Sequence, residues 1–246
     1  MSAGELEGRV TLVTGSTRGI GLGIAQRFAR EGARVVVNGR KAADAERVAK
    51  QIGGGAIGIA ANVADPAEAQ RLVSASLERL GRIDVLVNNA GVALDNFVTR
   101  VTDERWADVL GTNLSGPLYL IRGVVPEMRE QGGGVILNLL SWSGLRGNVG
   151  QAAYAASKAG LHGLTLSLAK ELGKFGIRVN GISPAVVTDM AVQMSEELQK
   201  KARSRRPLKI DGSPADVAEG ALYLVSDRSR FTTGQVLHID GGLHLN

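Results

Sequence analysis

Tyr154 and Lys158 stand four residues apart in the run Gln151-Ala-Ala-Tyr-Ala-Ala-Ser-Lys-Ala-Gly160. On a helix that spacing places both side chains on one face, one turn apart. A phenol titrates near pH ~10 and keeps its proton at neutral pH. An ammonium beside it favours the phenolate and should lower that value. The pair then forms an acid/base able to protonate an alkoxide or deprotonate an alcohol. On an arbitrary helix the same spacing is usually a solvated pair, so its meaning rests on what surrounds it.

Three further segments could place a reactant beside that pair. Arg9 to Thr14 reads as a short buried strand, followed by Gly15-Ser-Thr-Arg-Gly19-Ile-Gly21 and a helical pattern from Ile20 to Arg30. Strand, glycine-rich turn and helix let backbone N–H groups and a helix N-terminus receive a pyrophosphate. Side chains in such a turn would hold the phosphates away. The strand Ile83 to Val87 runs into Asn88-Asn89-Ala90-Gly91, and the strand Val135 to Leu140 into Ser141. The C-terminal ends of parallel strands are where open α/β sheets bind ligands. Read alone, each of these runs is ordinary turn chemistry.

In this order and spacing, the segments resemble the classical short-chain dehydrogenase/reductase family, from about Leu6 to Leu245. Thr14-Gly-x-x-x-Gly-x-Gly21 looks like its cofactor motif and Asn88 to Gly91 like its sheet-stabilising motif. Tyr154-x-x-x-Lys158 looks like its catalytic pair. Ser141, thirteen residues before the tyrosine, and Asn113 in Gly111-Thr-Asn-Leu-Ser115 match the rest of its tetrad. Val186 to Met190 and His238-Ile-Asp-Gly-Gly242 are similar to the 3-oxoacyl-[acyl-carrier-protein] reductase type.

The resemblance implies a division of labour. Ser141 would bond a substrate carbonyl oxygen, and Tyr154 would protonate the alkoxide formed by hydride transfer to the carbonyl carbon. Lys158 would lower the tyrosine pKa and bond the nicotinamide ribose, while Asn113 would hold a water leading to solvent. Cofactor contacts are implied at Gly15, Thr17, Arg18, Gly19, Ile20, Gly21, Arg40, Asn62, Val63, Asn89, Ala90, Gly91, Tyr154, Lys158, Pro184, Val187 and Thr188. An enzyme for NAD(H) usually ends its second strand with a carboxylate that bonds the ribose. Here that strand ends in Asn38-Gly39-Arg40-Lys41. Arg18 and Arg40 suit a 2′-phosphate through bidentate guanidinium contacts. NADP(H) is therefore the expected cofactor over NAD(H). Asn62 stands where many relatives carry Asp, and its amide oxygen can still accept from the adenine amino group.

The elements form one doubly wound α/β domain over residues 1–246. Strands are expected near 9–14, 33–38, 56–61, 83–88, 134–140, 177–183 and 235–239. Helices are expected near 19–31, 41–52, 66–80, 103–129, 151–174 and 214–226. This alternation argues for a seven-stranded parallel sheet of Rossmann type, with helices on both faces. Residues 188–214 break it and resemble the family's substrate lid. Their basic run Lys200-Lys201-Ala-Arg203-Ser-Arg205-Arg206-Pro-Leu-Lys209 could dock an acidic acyl carrier protein. The arginines that carrier-dependent relatives place near the entrance correspond to Gly132 and Phe175. A free ketone, polyol or steroid thus stays open beside a thioester substrate. A homotetramer, or a homodimer, is implied by the long fourth and fifth helices and by Leu243 to Asn246.

Composition excludes several classes. The 246 residues carry 44% hydrophobic and 22% charged side chains, as soluble globular chains do. With no cysteine there is no disulfide, thiol catalysis or Cys-ligated zinc. His162, His238 and His244 show no metal-ligand spacing, so no metal is expected. A net charge of +5 is spread along the chain, without a helix-turn-helix signature, which argues against nucleic acid. Gly181-Ile-Ser183-Pro-Ala185 fails the hydrolase elbow at its last position. A non-enzymatic nucleotide sensor would be expected to lack part of the tetrad. No apolar run is long enough to span a bilayer and no signal peptide is apparent, so the cytoplasm is expected.

Overall fold

A computed structural model describes residues 4–186, 204 and 206–245. Val187, Thr188, most of the expected lid and Lys200, Lys201, Arg203 and Arg205 lie outside the described residues.

Seven parallel strands form one sheet in the order β3-β2-β1-β4-β5-β6-β7. They are β1 Val10–Val13, β2 Arg34–Gly39, β3 Ile57–Ala60, β4 Val85–Asn88, β5 Gly134–Leu139, β6 Ile177–Pro184 and β7 Val236–Ile239. Neighbours alternate between the two faces, as a period of two requires. Val35 and Val37 join one core with Val85, Val87, Val135 and Leu137. Val36, Leu86 and Ile136 join the other.

Each core is closed by three helices. Helices α1 Gly19–Arg30 and α2 Ala42–Ile52 cover the first face together with Pro214–Val225, which is α8 here. Helices α3 Pro66–Leu80, α5 Gly116–Glu130 and α7 Ala152–Leu172 cover the second. The reversal of strand order between β1 and β4 opens the crevice at their C-terminal ends. No helix among the described residues is long and apolar enough to cross a membrane.

The helix expected over 103–129 is not continuous. It comprises α4 Asp103–Leu110, a π-helical turn Gly111–Ser115 and α5. The wider turn carries Asn113, which is fully buried. A short helix α6, Ser143–Arg146, follows β5 and had no periodic signal of its own.

Candidate active site

The turn after β1 is built to receive an anion. Helix α1 begins at Gly19 with no side-chain cap and no acid in its first turn, so its leading N–H groups are left for a ligand. Gly19 adopts φ 58°, and a side chain there would project into open space. At Gly21 a Cβ would instead strike Asn89 Nδ2 at 2.4 Å and Gly15 O at 2.7 Å. One glycine therefore clears room for a ligand, while the other lets helix and loops pack. These features fit the pyrophosphate of a dinucleotide.

Polar side chains lock this turn to its neighbours. Thr14 Oγ1 accepts from the N–H groups of Asn89 and Ala90, both at 3.0 Å. Asn89 Nδ2 donates to Thr14 O at 2.7 Å and Gly15 O at 3.1 Å. Asn89 is thus tied to the glycine turn, with both amide hydrogens used on protein. Asn38 is buried, accepts from Gly15 N and donates to the carbonyls of Ile59 and Ala61. It acts as a hub between three strands, a role its position at the end of β2 did not announce.

Around the adenosine end, Gly39 packs against Thr17, with no room for a side chain. Arg18 and Arg40 are exposed and have no ion-pair partner among the described residues. Asn62 Oδ1 accepts from Ala64 N at 3.2 Å, so the oxygen expected to meet adenine is already partly engaged. Val63 is buried against Gly116. Pro184 closes β6 beside Ile239 of β7.

The tetrad converges at the ends of β4 and β5 against α7. The Ser141 hydroxyl lies close enough to the Tyr154 phenol to bear on its titration, and its Oγ accepts from Ser143 N at 3.3 Å. Burial raises the phenol pKa, the Ser141 hydroxyl opposes that rise, and the nearby Asp95 carboxylate adds to it. Lys158 is 5% exposed, and burial lowers its pKa to about 8. Its Nζ donates to Leu139 O at 2.6 Å and lies 5.7 Å from the centre of the Tyr154 ring. The expectation that Lys158 lowers the phenol pKa is therefore corrected for this state. The ammonium is turned to a carbonyl and is itself poorly solvated, so desolvation of the phenol prevails.

Asn113 is also more engaged than expected. Its Nδ2 donates to Val92 O at 2.9 Å and Ser157 Oγ at 3.1 Å, while Oδ1 accepts from Val92 N at 2.8 Å. Neither amide hydrogen is left for a water. The side chain clamps the loop after Gly91 to α7. Behind it, Asn88 Nδ2 bonds Asn138 Oδ1, and Asn138 Nδ2 bonds Thr165 Oγ1, both at 2.9 Å and both buried.

Two features near the pocket had no sequence signal. Gln151 Nε2 donates to Asp95 Oδ2 at 2.7 Å, and Ser143 Oγ donates to Gln151 Oε1 at 2.9 Å. Asp95 and Gln151 are 56 positions apart, so only the fold brings them together. His162, on α7, lines a small cavity with Ser141, Lys158 and Ser183.

The basic features divide differently from the expectation. Arg206 is 8% exposed and its Nη1 lies 3.3 Å from Asp211, so it is not a free docking cation. Gly132 and Phe175 lie just before β5 and β6, at the N-terminal ends of strands whose C-terminal ends face Ser141. Positive charge persists there, because Arg129 stacks 4.1 Å over the Phe175 ring and Lys174 lies 5.0 Å from it.

Comparison with known proteins agrees with this geometry. The family model described as "Enoyl-(Acyl carrier protein) reductase" matches residues 15–244. The 3-oxoacyl-[acyl-carrier-protein] reductase FabG of Staphylococcus epidermidis is 41% identical over 239 residues, covering 95% of this chain and 98% of that protein. FabG of Escherichia coli K12 is 37% identical over 242 residues, covering 98% and 99%. A crystal structure described as that of a short-chain alcohol dehydrogenase from Sinorhizobium meliloti 1021 superposes with a TM-score of 0.94 at 33% identity, covering 98% of each chain. The chain belongs to the short-chain dehydrogenase/reductase family, groups with its 3-oxoacyl-[acyl-carrier-protein] reductase type, and is an NAD(P)-dependent oxidoreductase acting on CH–OH groups.

Proposed function

We propose that the chain reduces the 3-oxo group of an acyl thioester carried by an acyl carrier protein, using NADPH. The observation that carries this reading is the Ser141–Tyr154 hydroxyl pair, with Lys158 one turn away beside an open glycine turn. Two hydroxyls converging on one point can hold a carbonyl oxygen from two sides. That favours a ketone over the carbon–carbon double bond that the name of the family model evokes. A bound reduced nicotinamide supplies the hydride. Ser141 orients the carbonyl, and the raised pKa of Tyr154 keeps its proton in place until an alkoxide draws it. Once the phenol has given up its proton, Lys158 is the nearest cationic side chain that can resupply it.

Preference for NADPH is supported by Arg18 and Arg40, exposed and without an ion-pair partner among the described residues, near a strand end that offers Gly39 and no carboxylate. Double replacement of Arg18 and Arg40 by Ala should raise KM for NADPH at least tenfold and leave KM for NADH unchanged. Association of copies is supported by large apolar side chains left exposed on α4, α5 and α7, namely Trp106, Leu118 and Leu166.

The main test presents one 3-oxoacyl chain on a carrier protein and as a small thioester, and follows NADPH oxidation. A strong preference for the carrier form supports the proposal. Equal weak rates would overturn it in favour of a free ketone, a reading supported by the burial of Arg206.

A further inference from the structure

His238, Asp240 and His244 lie at the end of β7 and in the turn that follows it. The chain has only three histidines. The fold gathers all of them into one neighbourhood, against the expectation drawn from their spacing. The rings of His238 and His244 stack with centroids 4.2 Å apart and planes 18° apart. His244 Nδ1 lies 2.9 Å from Asp240 Oδ2, and Asp240 is 4% exposed. His162, from α7, is close enough for its charge to bear on His238. One ligand atom from each of His238, Asp240 and His244 falls within 4.8 Å of the others.

A carboxylate that caps a terminal turn would explain part of this. Asp240 does accept from Gly242 N and His244 N, both at 2.9 Å. It does not explain the second imidazole. His238 Nδ1 is buried without a protein hydrogen-bond partner, a costly state for a ring nitrogen. Two imidazoles are parked face to face, where their protonated forms would repel each other. A divalent cation would give the second imidazole a role, since it uses neutral imidazole nitrogens and a carboxylate oxygen as ligands.

We propose that His238, Asp240 and His244 form a binding site for a divalent transition-metal ion, zinc foremost. Two nitrogens and one oxygen suit the borderline-soft ions, and the remaining position falls to water. Bonds of about 2.0–2.2 Å require ligand atoms to draw to roughly 3.3 Å from one another. The movement falls on His244, whose side chain is 34% exposed. It sits beyond Gly241 and Gly242, at φ 64° and 86°, which give the turn backbone freedom. The two backbone N–H groups already held by Asp240 keep the carboxylate aimed, as outer-shell partners of metal sites do. A bound ion staples the terminal turn to β7, whose His238 pairs in register with Ser183 at the floor of the candidate site. This inference does not depend on the substrate proposed above.

The test uses tag-free, chelator-treated protein titrated with zinc sulfate by calorimetry, with cobalt(II) absorption and thermal melting as parallel readouts. One zinc ion per chain and a zinc-dependent rise in Tm are expected. His244→Phe keeps a ring to stack on His238 and should weaken zinc at least tenfold. Asp240→Asn, which removes the anionic ligand and keeps one oxygen to accept from one of the two N–H groups, should do the same. Absence of saturable binding, or equal affinity in the wild type and both variants, would overturn the site.

Discussion

Two regions flank Tyr154, and they are built in opposite ways. On the sheet side, Asn88, Asn138 and Thr165 form one buried chain of hydrogen bonds, and Asn113 joins Val92 to Ser157. On the solvent side, the loops 94–98 and 147–151 meet through the bond from Asn96 N to Gly150 O and through the Gln151–Asp95 contact. They expose Phe97 and Val149, at 62% and 82%. The first region holds reacting groups still and tolerates no loss of a partner. The second presents apolar surface to water and owes little stability to it. Chemistry and substrate choice are therefore separable, and substitutions can show how far.

The largest effect belongs to Tyr154. Tyr154→Phe removes the transferable proton and leaves the ring, so kcat should fall by at least ~10³ while the Kd for the cofactor stays within a few-fold. Near wild-type turnover would break the contrast at its centre. Lys158→Met comes next, with a loss of about 10²-fold or more in kcat. Its effect on stability has the opposite sign from most core changes. Burial lowers the lysine to about 8 in the folded protein, against 10.5 as the ordinary value. Below pH 8 the folded state must keep a buried ammonium charged, a cost that the unfolded chain does not bear. Between about pH 8 and 10.5 the unfolded lysine binds more protons than the folded one, so this cost is relieved as pH rises. Melting at pH 7 should show Lys158→Met at least as stable as the wild type, with that advantage shrinking by pH 10. A variant much less stable at pH 7 would mean that the bond to Leu139 O outweighs desolvation.

The buried side was legible in part, and the reasons are local. Helix α3 was bounded correctly because its signals are contiguous. Asp65 caps it by accepting from Ala67 N and Glu68 N, Pro66 opens it, and Gly81 ends it at φ 81°. The strands were found for the same reason, since alternating or continuous apolar runs leave few other structures open. The π-turn at Gly111–Ser115 was not foreseen, because the partners that draw Asn113 inward lie 21 and 44 positions away. The four-residue spacing of Tyr154 and Lys158 showed that the two share a face. It could not show that Leu139 O captures the ammonium. The exposed loops carry no periodicity at all, so the Asp95–Gln151 pair appears only in the folded chain.

Asn113→Ala probes that hidden clamp. It leaves the N–H and C=O of Val92 without their partner and removes the donor to Ser157 Oγ, which keeps its bond to Tyr154 O, at a cost of about 2–3 kcal/mol. For a chain of this size the melting temperature should drop by roughly 5 °C or more, and kcat should fall with it as α7 and the loop after Gly91 lose register. An unchanged Tm would move Asn113 from clamp to bystander.

The smallest effect tests the exposed side. Phe97 is mostly in water, so Phe97→Ala should change stability by no more than about 0.5 kcal/mol. If the loops 94–98 and 147–151 receive an acyl chain, the ring covers apolar surface only when that chain is long enough to reach it. Each methylene it shields is worth about 0.8 kcal/mol. KM for a long 3-oxoacyl substrate should therefore rise about three- to tenfold, while a short one is unaffected and kcat stays level for both. Equal changes for short and long chains would place the acyl group elsewhere. A fall in kcat would show that the two regions are coupled after all, and that the exposed loops help to set the position of Tyr154 through the Gln151–Asp95 contact.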